Sequence, residues 1–434
     1  MSLRYILRLI EAFFKRFKAI ILIGVVLGVV FFLLISLLIP NIESTNERIG
    51  VVGRYTPDLL PEEISSKISS GLTKVDVNGN VIPAIAKSWE STDGGKTWIF
   101  TIDDNSTWQD GKKVVTSDID YEFSDATVEI IDNKTIKFNL DSQFSAFPII
   151  VSRPIFKKGL IGVGEWKVKK ISLSGGYLQK LEITNKDKKE KITNKISYKF
   201  YPSEERLKLA FKLGEIDIIK GIQDPSPFDQ WKIVSLNQEI GYNNFVGLFF
   251  NVEDEKLSDK IIRQSLAYAI DKNNLPGERS LGPISPTSWS YNSQIKPYQR
   301  DLEKSKDAKD LKITLSTLPN LLKVAETIKM NWEEAGVTTE IRVVTNVPED
   351  YQVFLATVDI PKDPDQYSLW HSTQTSTNIS RFKNPRIDKL LEDGRIELDQ
   401  ETRKKIYLDF QRFIVEEVPA VFLYHPTYYT ITRK

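Results

Sequence analysis

The sequence predicts an α/β protein displayed outside a membrane on one N-terminal transmembrane helix, and three stretches carry that prediction. Residues 311–315 and 340–344 are β-favouring runs separated by a helix-spaced segment, 321–335, that Gly336 closes. Strands joined by a helix of this length pair in parallel through a right-handed crossover, the repeating unit of an α/β layer. Residues 68–123 are dense in strand and turn signals, with the alternating run Trp98-Ile99-Phe100-Thr101-Ile102 bracketed by Asp93-Gly94-Gly95 and Asp110-Gly111. Residues 19–39 are 21 uncharged, mostly apolar residues, enough to cross a hydrocarbon core of roughly 30 Å as a helix.

Composition narrows the function. The 434 residues are 41% hydrophobic and 27% charged, an ordinary globular balance with room for two or three domains. There is no cysteine, which removes disulfides, thiolate metal sites and thiol nucleophiles. His371 and His425 stand far apart, and no G-x-S-x-G or H-E-x-x-H is present, so neither an enzyme nor a metal or other cofactor is expected. Overall charge is +1, but residues 1–18 hold five cations against Glu11, a net of +4 that leaves −3 for the rest. A nearly neutral ectodomain argues against nucleic acid as a partner.

In chain order, residues 1–18 place Ile6, Leu9, Ile10, Phe13, Phe14 and Phe17 opposite Arg8, Lys15 and Arg16, an amphipathic helix for the inner leaflet or for a docking partner. Basic residues before the span and Glu43 and Glu47 after it place the N-terminus in the cytoplasm and the rest outside. The run is longer than a signal-peptide core and no small-x-small site follows, so an uncleaved single-pass anchor in the cell membrane is expected. Residues 1–39 are thus assigned to the lipid bilayer. After a linker, residues 48–53 read as a first strand, left by the loop Arg54-Tyr55. Ser117 and Asp118 mark a helix start. Residues 128–131 and 135–138 read as paired strands, 180–200 as strands around a lysine-rich turn, and 204–213 as a helix ended by Gly214. Within 259–271, Ile262, Leu266, Ala269 and Ile270 stand at the spacing of a helix's buried stripe. Residues 384–391 and 403–417 are helices, the latter capped by Asp399.

Several blocks resemble the extracellular solute-binding family that includes the oligopeptide-, dipeptide- and nickel-binding proteins of ABC importers. Ser70-Gly71-Leu72-Thr73, the run from Val81 to Glu90 ending Ser88-Trp89-Glu90, Asp93-Gly94-Gly95-Lys96-Thr97-Trp98, Trp108-Gln109-Asp110-Gly111-Lys112 and Thr116-Ser117-Asp118-Ile119 follow the family's opening signature in order. Gly162-Val163-Gly164-Glu165-Trp166, Gly214-Glu215-Ile216-Asp217, the stretch Asp259 to Asp271, and Asp363-Pro364-Asp365-Gln366-Tyr367 resemble later blocks. The resemblance implies a two-lobed periplasmic-binding-protein fold of type II, in the peptide-binding cluster. Only residues 124–127 stand where larger members carry a long insertion, so a reduced accessory domain is expected. The implied division is lobe 1 with its accessory part over 48–245, lobe 2 over 246–418, and a return to lobe 1 over 419–434, behind a linker at 40–47.

The implied function is capture of peptides or similar small solutes between the lobes and delivery to the permease subunits of an ABC transporter. The alternative is a ligand-sensing or adhesive receptor ectodomain on the same fold. The resemblance places the cleft at the loop after the first strand, with Arg54 and Tyr55, and around Asp359, Asp363, Tyr367 and Trp370. Peptide-binding members use an aspartate before the Asp-Pro motif to hold the ligand's amino group; here Ile360 falls at that place and Asp359 beside it. Trp289 is a further candidate wall.

Overall fold

The computed structural model describes residues 16–20, 22–24, 27–31, 46–185 and 195–434. Residues 16–20, 22–24 and 27–31 are helical and their apolar side chains from Ile20 to Phe31 are exposed. Among the described residues no helix is long and apolar enough to cross a membrane. Most of the expected span 19–39, the amphipathic stretch before residue 16, linker residues 40–45 and the lysine-rich turn beyond Asn185 lie outside the described residues.

Lobe 1 begins with β1 (Asn46–Val52) and the short helix α1 (Glu62–Ile68). A small hairpin, β2 (Thr73–Val75) and β3 (Val81–Pro83), leads to an accessory sheet of β4 (Ala86–Glu90), β5 (Thr97–Ile102), β6 (Ala126–Ile130) and β7 (Thr135–Leu140), ordered β4-β5-β7-β6. The core of this subdomain is aromatic: Phe138 meets Phe100 edge-on at 5.6 Å and Phe147 at 5.1 Å, and Trp98 and Trp108 are buried beside them. Its turns are held by aspartates, Asp93 accepting from the backbone N–H of Thr97 at 2.7 Å and Asp132 from that of Lys134 at 2.7 Å. The helix expected after Ser117 does not form. Thr116–Asp118 makes one 3₁₀ turn, and beyond it Ile119 and Tyr121 are buried while Asp120 and Glu122 are exposed, a period of two that suits extended chain.

The chain then enters the main sheet through β8 (Trp166–Ser174), β9 (Tyr177–Asn185) and β10 (Lys195–Tyr201). Gly162 packs so closely on α1 that a Cβ there would stand 2.0 Å from the Ile68 carbonyl oxygen. Gln109 ties the same junction, its Nε2 donating to the carbonyls of Ile68, Gly164 and Trp166 at 2.8–3.1 Å. Helix α2 (Glu204–Lys212) is capped by Ser203, and β11 (Ile218–Ile222) and β12 (Val234–Ile240) complete lobe 1.

Lobe 2 starts with the fully buried β13 (Asn244–Phe250) and α3 (Lys260–Ala269), whose cap Asp259 accepts from Ile261 N at 2.8 Å. Leu266, Ala269 and Ile270 are buried as expected and Ile262 is half-buried, and Arg263 joins them by donating to four backbone carbonyls. After β14 (Gly277–Arg279), the expected strand-helix-strand unit appears as β15 (Lys312–Thr317), α4 (Leu322–Glu334) and β16 (Thr338–Val343), with β15 and β16 parallel and Gly336 at φ +85°. Next come β17 (Val353–Asp359), α5 (Pro385–Ile396), capped by Asn384, α6 (Gln400–Glu417), capped by Asp399, and β18 (Ala420–Arg433).

The main sheet has 12 strands in the order β16-β15-β17-β13-β18-β11-β1-β10-β9-β8, with β12 and β14 also pairing with β18. β18 therefore belongs to both lobes. Val421 and Phe422 lie on β13, and Tyr429 to Thr432 lie on β11. The second crossing, Gly241 to Asn243, runs beside it, with Gly241 N donating to Pro426 O at 2.9 Å.

Candidate functional site

Where the two crossings meet, a cavity of about 670 Å³ opens on lobe 1. Its walls come from the end of β1 (Val51, Val52), Tyr55, the start of α1 (Glu63, Ile64), Tyr198 on β10, Lys220 on β11, Glu239 on β12, and Asn244 and Tyr428 at the hinge. Parallel pairing sets Ile49 opposite Tyr198, so the centre of lobe 1 presents a phenol to this space. Two buried polar atoms here have no hydrogen-bond partner: Tyr198 OH and Asn244 Oδ1. A buried polar group left unpaired costs roughly 1–3 kcal/mol, which a polar atom reaching either of them would recover. Burial, with Glu63 and Glu47 adding to it, raises the Tyr198 pKa and keeps the phenol protonated, a donor as well as an acceptor.

Charge on the wall is partly self-compensated. Lys220 pairs with Glu63, while Asn244 spends its amide nitrogen on Tyr428 OH at 3.0 Å. Asp359 sits directly opposite Asn244 in the β13–β17 ladder, which puts both side chains on one sheet face. Glu239 and the free Asn244 oxygen thus put two acceptors on the cavity wall.

A second hollow of about 280 Å³ shares Asn243 with the first and lies between the lobes proper. The β2–β3 turn (Asp76, Val77, Gly79) forms one side; Ser285, Thr287, Ser288 and Ile360 to Lys362 form the other. A third, of about 300 Å³, continues past Gly79 between the accessory sheet and lobe 2, walled by Trp89, Trp98 and Trp289 with Asp363 and Arg403 behind. The lobes touch around this space. Lys362 pairs with Glu62, Gln400 Nε2 donates to Asn80 Oδ1 at 3.0 Å, and Ser145 donates from N and Oγ to the Arg395 carbonyl at 2.8 and 2.9 Å. The Arg395 guanidinium lies over both Phe144 and Tyr367, at 4.7 and 4.6 Å from the ring centres.

The residues singled out from the sequence divide accordingly. Tyr55 lines the large cavity, its hydroxyl donating to Val52 O at 3.1 Å, and Asp359 is exposed on the strand beside Asn244. Trp289 and Asp363 bound the third hollow. Asp363, however, is 7% exposed and held by Arg403, whose Nη1 donates to Oδ2 at 2.8 Å, so its carboxylate is already satisfied. Arg54 lies elsewhere on lobe 1, 5.9 Å over the Tyr177 ring beside a hollow of its own. Tyr367 is stacked on His371 at 4.0 Å. Trp370 is no cleft wall: at 2% exposed it packs between Phe249 and Phe422 in the lobe 2 core and donates to Gln366 Oε1 at 3.3 Å. Tyr198, Asn244, Glu63, Lys220 and Tyr428 went unnoticed in the sequence, because only strand pairing brings them together.

Two lobes on one shared sheet, crossed twice, with an internal polar cavity at the crossing, define a solute-binding protein of the two-lobed periplasmic type. Residues 80–379 match the family of bacterial extracellular solute-binding proteins, family 5 (middle region), and the chain belongs to that family. It is 25% identical to the oligopeptide-binding protein AppA of Bacillus subtilis (strain 168), over 86% of this chain and 83% of that one. It is 22% identical to the periplasmic murein peptide-binding protein MppA of Escherichia coli (strain K12), over 85% and 84%. The crystal structure of NikZ from Campylobacter jejuni in complex with Ni(L-His) superposes with a TM-score of 0.70 at 22% identity, covering 91% of this chain and 95% of that one. Proteins of this family bind substrates and are not enzymes.

Proposed function

We propose that this protein captures peptides, or small solutes of similar polarity, in the inter-lobe cleft and hands them to an ABC importer while held at the outer face of the cell membrane by residues 19–39. The observation that carries the ligand class is the pairing of an unpartnered phenol and an unpartnered amide oxygen at the hinge cavity of lobe 1, beside the carboxylate of Glu239. Acceptors at one end suit an ammonium group, and Tyr198 can serve either polarity of a main-chain amide. Similarity to oligopeptide- and murein-peptide-binding proteins points the same way.

Capture works by population shift. A solute that touches Asn244 and Tyr198 on one side and the Ser285 to Ser288 loop on the other favours closure only by the contacts it gains there. The anchor reading rests on the 21-residue apolar run and its charge flanks. Native mass spectrometry of the full chain released from detergent tests the ligand: a co-purifying series of peptide masses lost on denaturation is the expected result. If nothing is carried, and a broad peptide library at high excess adds none of the roughly 2.7 kcal/mol expected at a hundredfold over Kd, the peptide assignment falls.

A further inference from the structure

The end of lobe 1 from which β1 departs carries a surface unlike the cleft. Asn46, the first residue of β1, pairs with Lys195, and the parallel and antiparallel registers bring the start of β11, the end of β18 and the start of β12 to this same edge. Gathered there are Lys212 and Leu213 at the end of α2, Lys232 and Ile233 before β12, and Arg433 and Lys434 at the end of β18. Leu213 is 67% and Ile233 54% exposed. One small apolar knot, Phe211, Phe228 and Trp231, fixes them in place. Lys212 Nζ lies 6.0 Å over the Phe228 ring, Arg433 lies 4.7 Å over the Phe211 ring, and Lys434 N donates to Ile233 O at 2.9 Å. Asp217 at this edge is closed by Arg48 at 2.6 Å and Glu215 lies 3.7 Å from Lys199, while Glu47 on β1 and Asp229 on the neighbouring turn also stand here.

We propose that this edge is a membrane-contact surface: lobe 1 rests on anionic lipid headgroups through Lys212, Lys232 and Lys434, with Leu213, Ile233 and the half-buried Trp231 at the headgroup boundary. Lysines beside exposed aliphatic and tryptophan side chains are the composition that such an interface favours. The proposal rests on the anchor reading, and chain geometry supplies its orientation. Residues 40–45 between the apolar run and Asn46 span at most about 25 Å when fully extended. The folded domain is roughly 50 Å across for a chain of this length, so an inverted domain would hold Asn46 beyond the tether's reach. The cleft lies past the other end of β1, roughly 20 Å further out, so the resting protein opens away from the bilayer.

The absence of cysteine allows an unambiguous test. Full-length Ile233→Cys and Thr287→Cys variants, spin-labelled and reconstituted in nanodiscs containing phosphatidylglycerol and a nickel-chelating lipid, report which label meets the headgroups. Broadening at position 233 but not at 287 is expected. It should fall by roughly half or more when Lys212→Glu and Lys232→Glu are added, or when phosphatidylglycerol is replaced by phosphatidylcholine. Equal broadening at the two positions, a stronger effect at 287, or insensitivity to both charge changes overturns the proposal. A chain that fails to float with lipid after carbonate washing removes the anchor reading, and the proposal with it; flotation tells the two failures apart.

Discussion

Arg403→Met is the most informative substitution near the cleft, because the ion pair it breaks stands where a ligand carboxylate or ammonium could otherwise be imagined to bind. Arg403 is 6% exposed. Beyond its two bonds to Asp363 it donates from Nε to the Gly394 carbonyl at 2.7 Å and from Nη2 to Tyr407 OH at 3.4 Å. It therefore fastens the segment after β17 to both α5 and α6. Methionine fills much of the volume but leaves Asp363 as a buried carboxylate without a partner, a defect worth about 3–5 kcal/mol. Unfolding entropy of about 2.1 cal/mol/K per residue over roughly 390 residues gives about 0.8 kcal/mol/K, so Tm should fall by about 4–6 °C. Differential scanning calorimetry measures it. Adding Asp363→Leu removes the second charge and should recover most of the loss, a coupling that only a direct pair produces. If Arg403→Met moves Tm by less than about 1 °C yet abolishes solute binding, the pair is a ligand site and the reasoning fails.

Tyr198→Phe should raise the stability of the unliganded protein by about 1 kcal/mol, since the lost hydroxyl is buried without a partner, yet weaken solute affinity about fivefold by titration calorimetry, the equivalent of one hydrogen bond; a fall in Tm with unchanged affinity would make it a plain core residue. Glu182 is held at a pKa of about 2 by hydrogen bonds from Lys180 and Lys195. Its folded pKa is depressed, so its stabilisation is present above about pH 4.5 and disappears as pH falls towards 2. Allowing for the partly exposed lysines, Glu182→Gln should cost about 1–2 kcal/mol in urea unfolding at pH 7, with the gap to wild type narrowing at pH 3; a gap constant with pH would refute the linkage. Ser145→Ala with Arg395→Ala removes the hydroxyl bond and the guanidinium's contact with Phe144 between the accessory part and lobe 2, leaving the Ser145 N–H bond to the backbone, and small-angle scattering of the unliganded protein should show a larger radius of gyration; an unchanged profile would mean that these contacts do not hold the lobes.

Local signals were the legible part of this fold. Asp259, Asn384 and Asp399 cap their helices as a capping residue before an apolar-spaced run should, and the crossover unit around α4 followed from length and spacing alone. Ser117-Asp118 misled because the same residues that cap helices also close 3₁₀ turns; the period-two burial of Ile119 and Tyr121 was the better guide. Trp370 misled differently. An aromatic beside a motif has the same letter whether it faces a cleft or Phe249, and tertiary packing decides. The cavity itself was illegible for a related reason: Tyr198, Lys220 and Asn244 come from three separate strands, and no local pattern states that β1 lies between β10 and β11.

The sharing of β18 also dictates an order of assembly. Lobe 1 needs Tyr429 to Thr432 beside β11, and lobe 2 needs Val421 and Phe422 beside β13, so neither half can complete its sheet until residues 420–433 have been made. A nascent chain paused before that point carries two unfinished edges, the fully buried β13 among them. Such edges invite pairing with another chain. The strand that joins the lobes in the finished protein is therefore the strand whose late arrival leaves both halves vulnerable during synthesis.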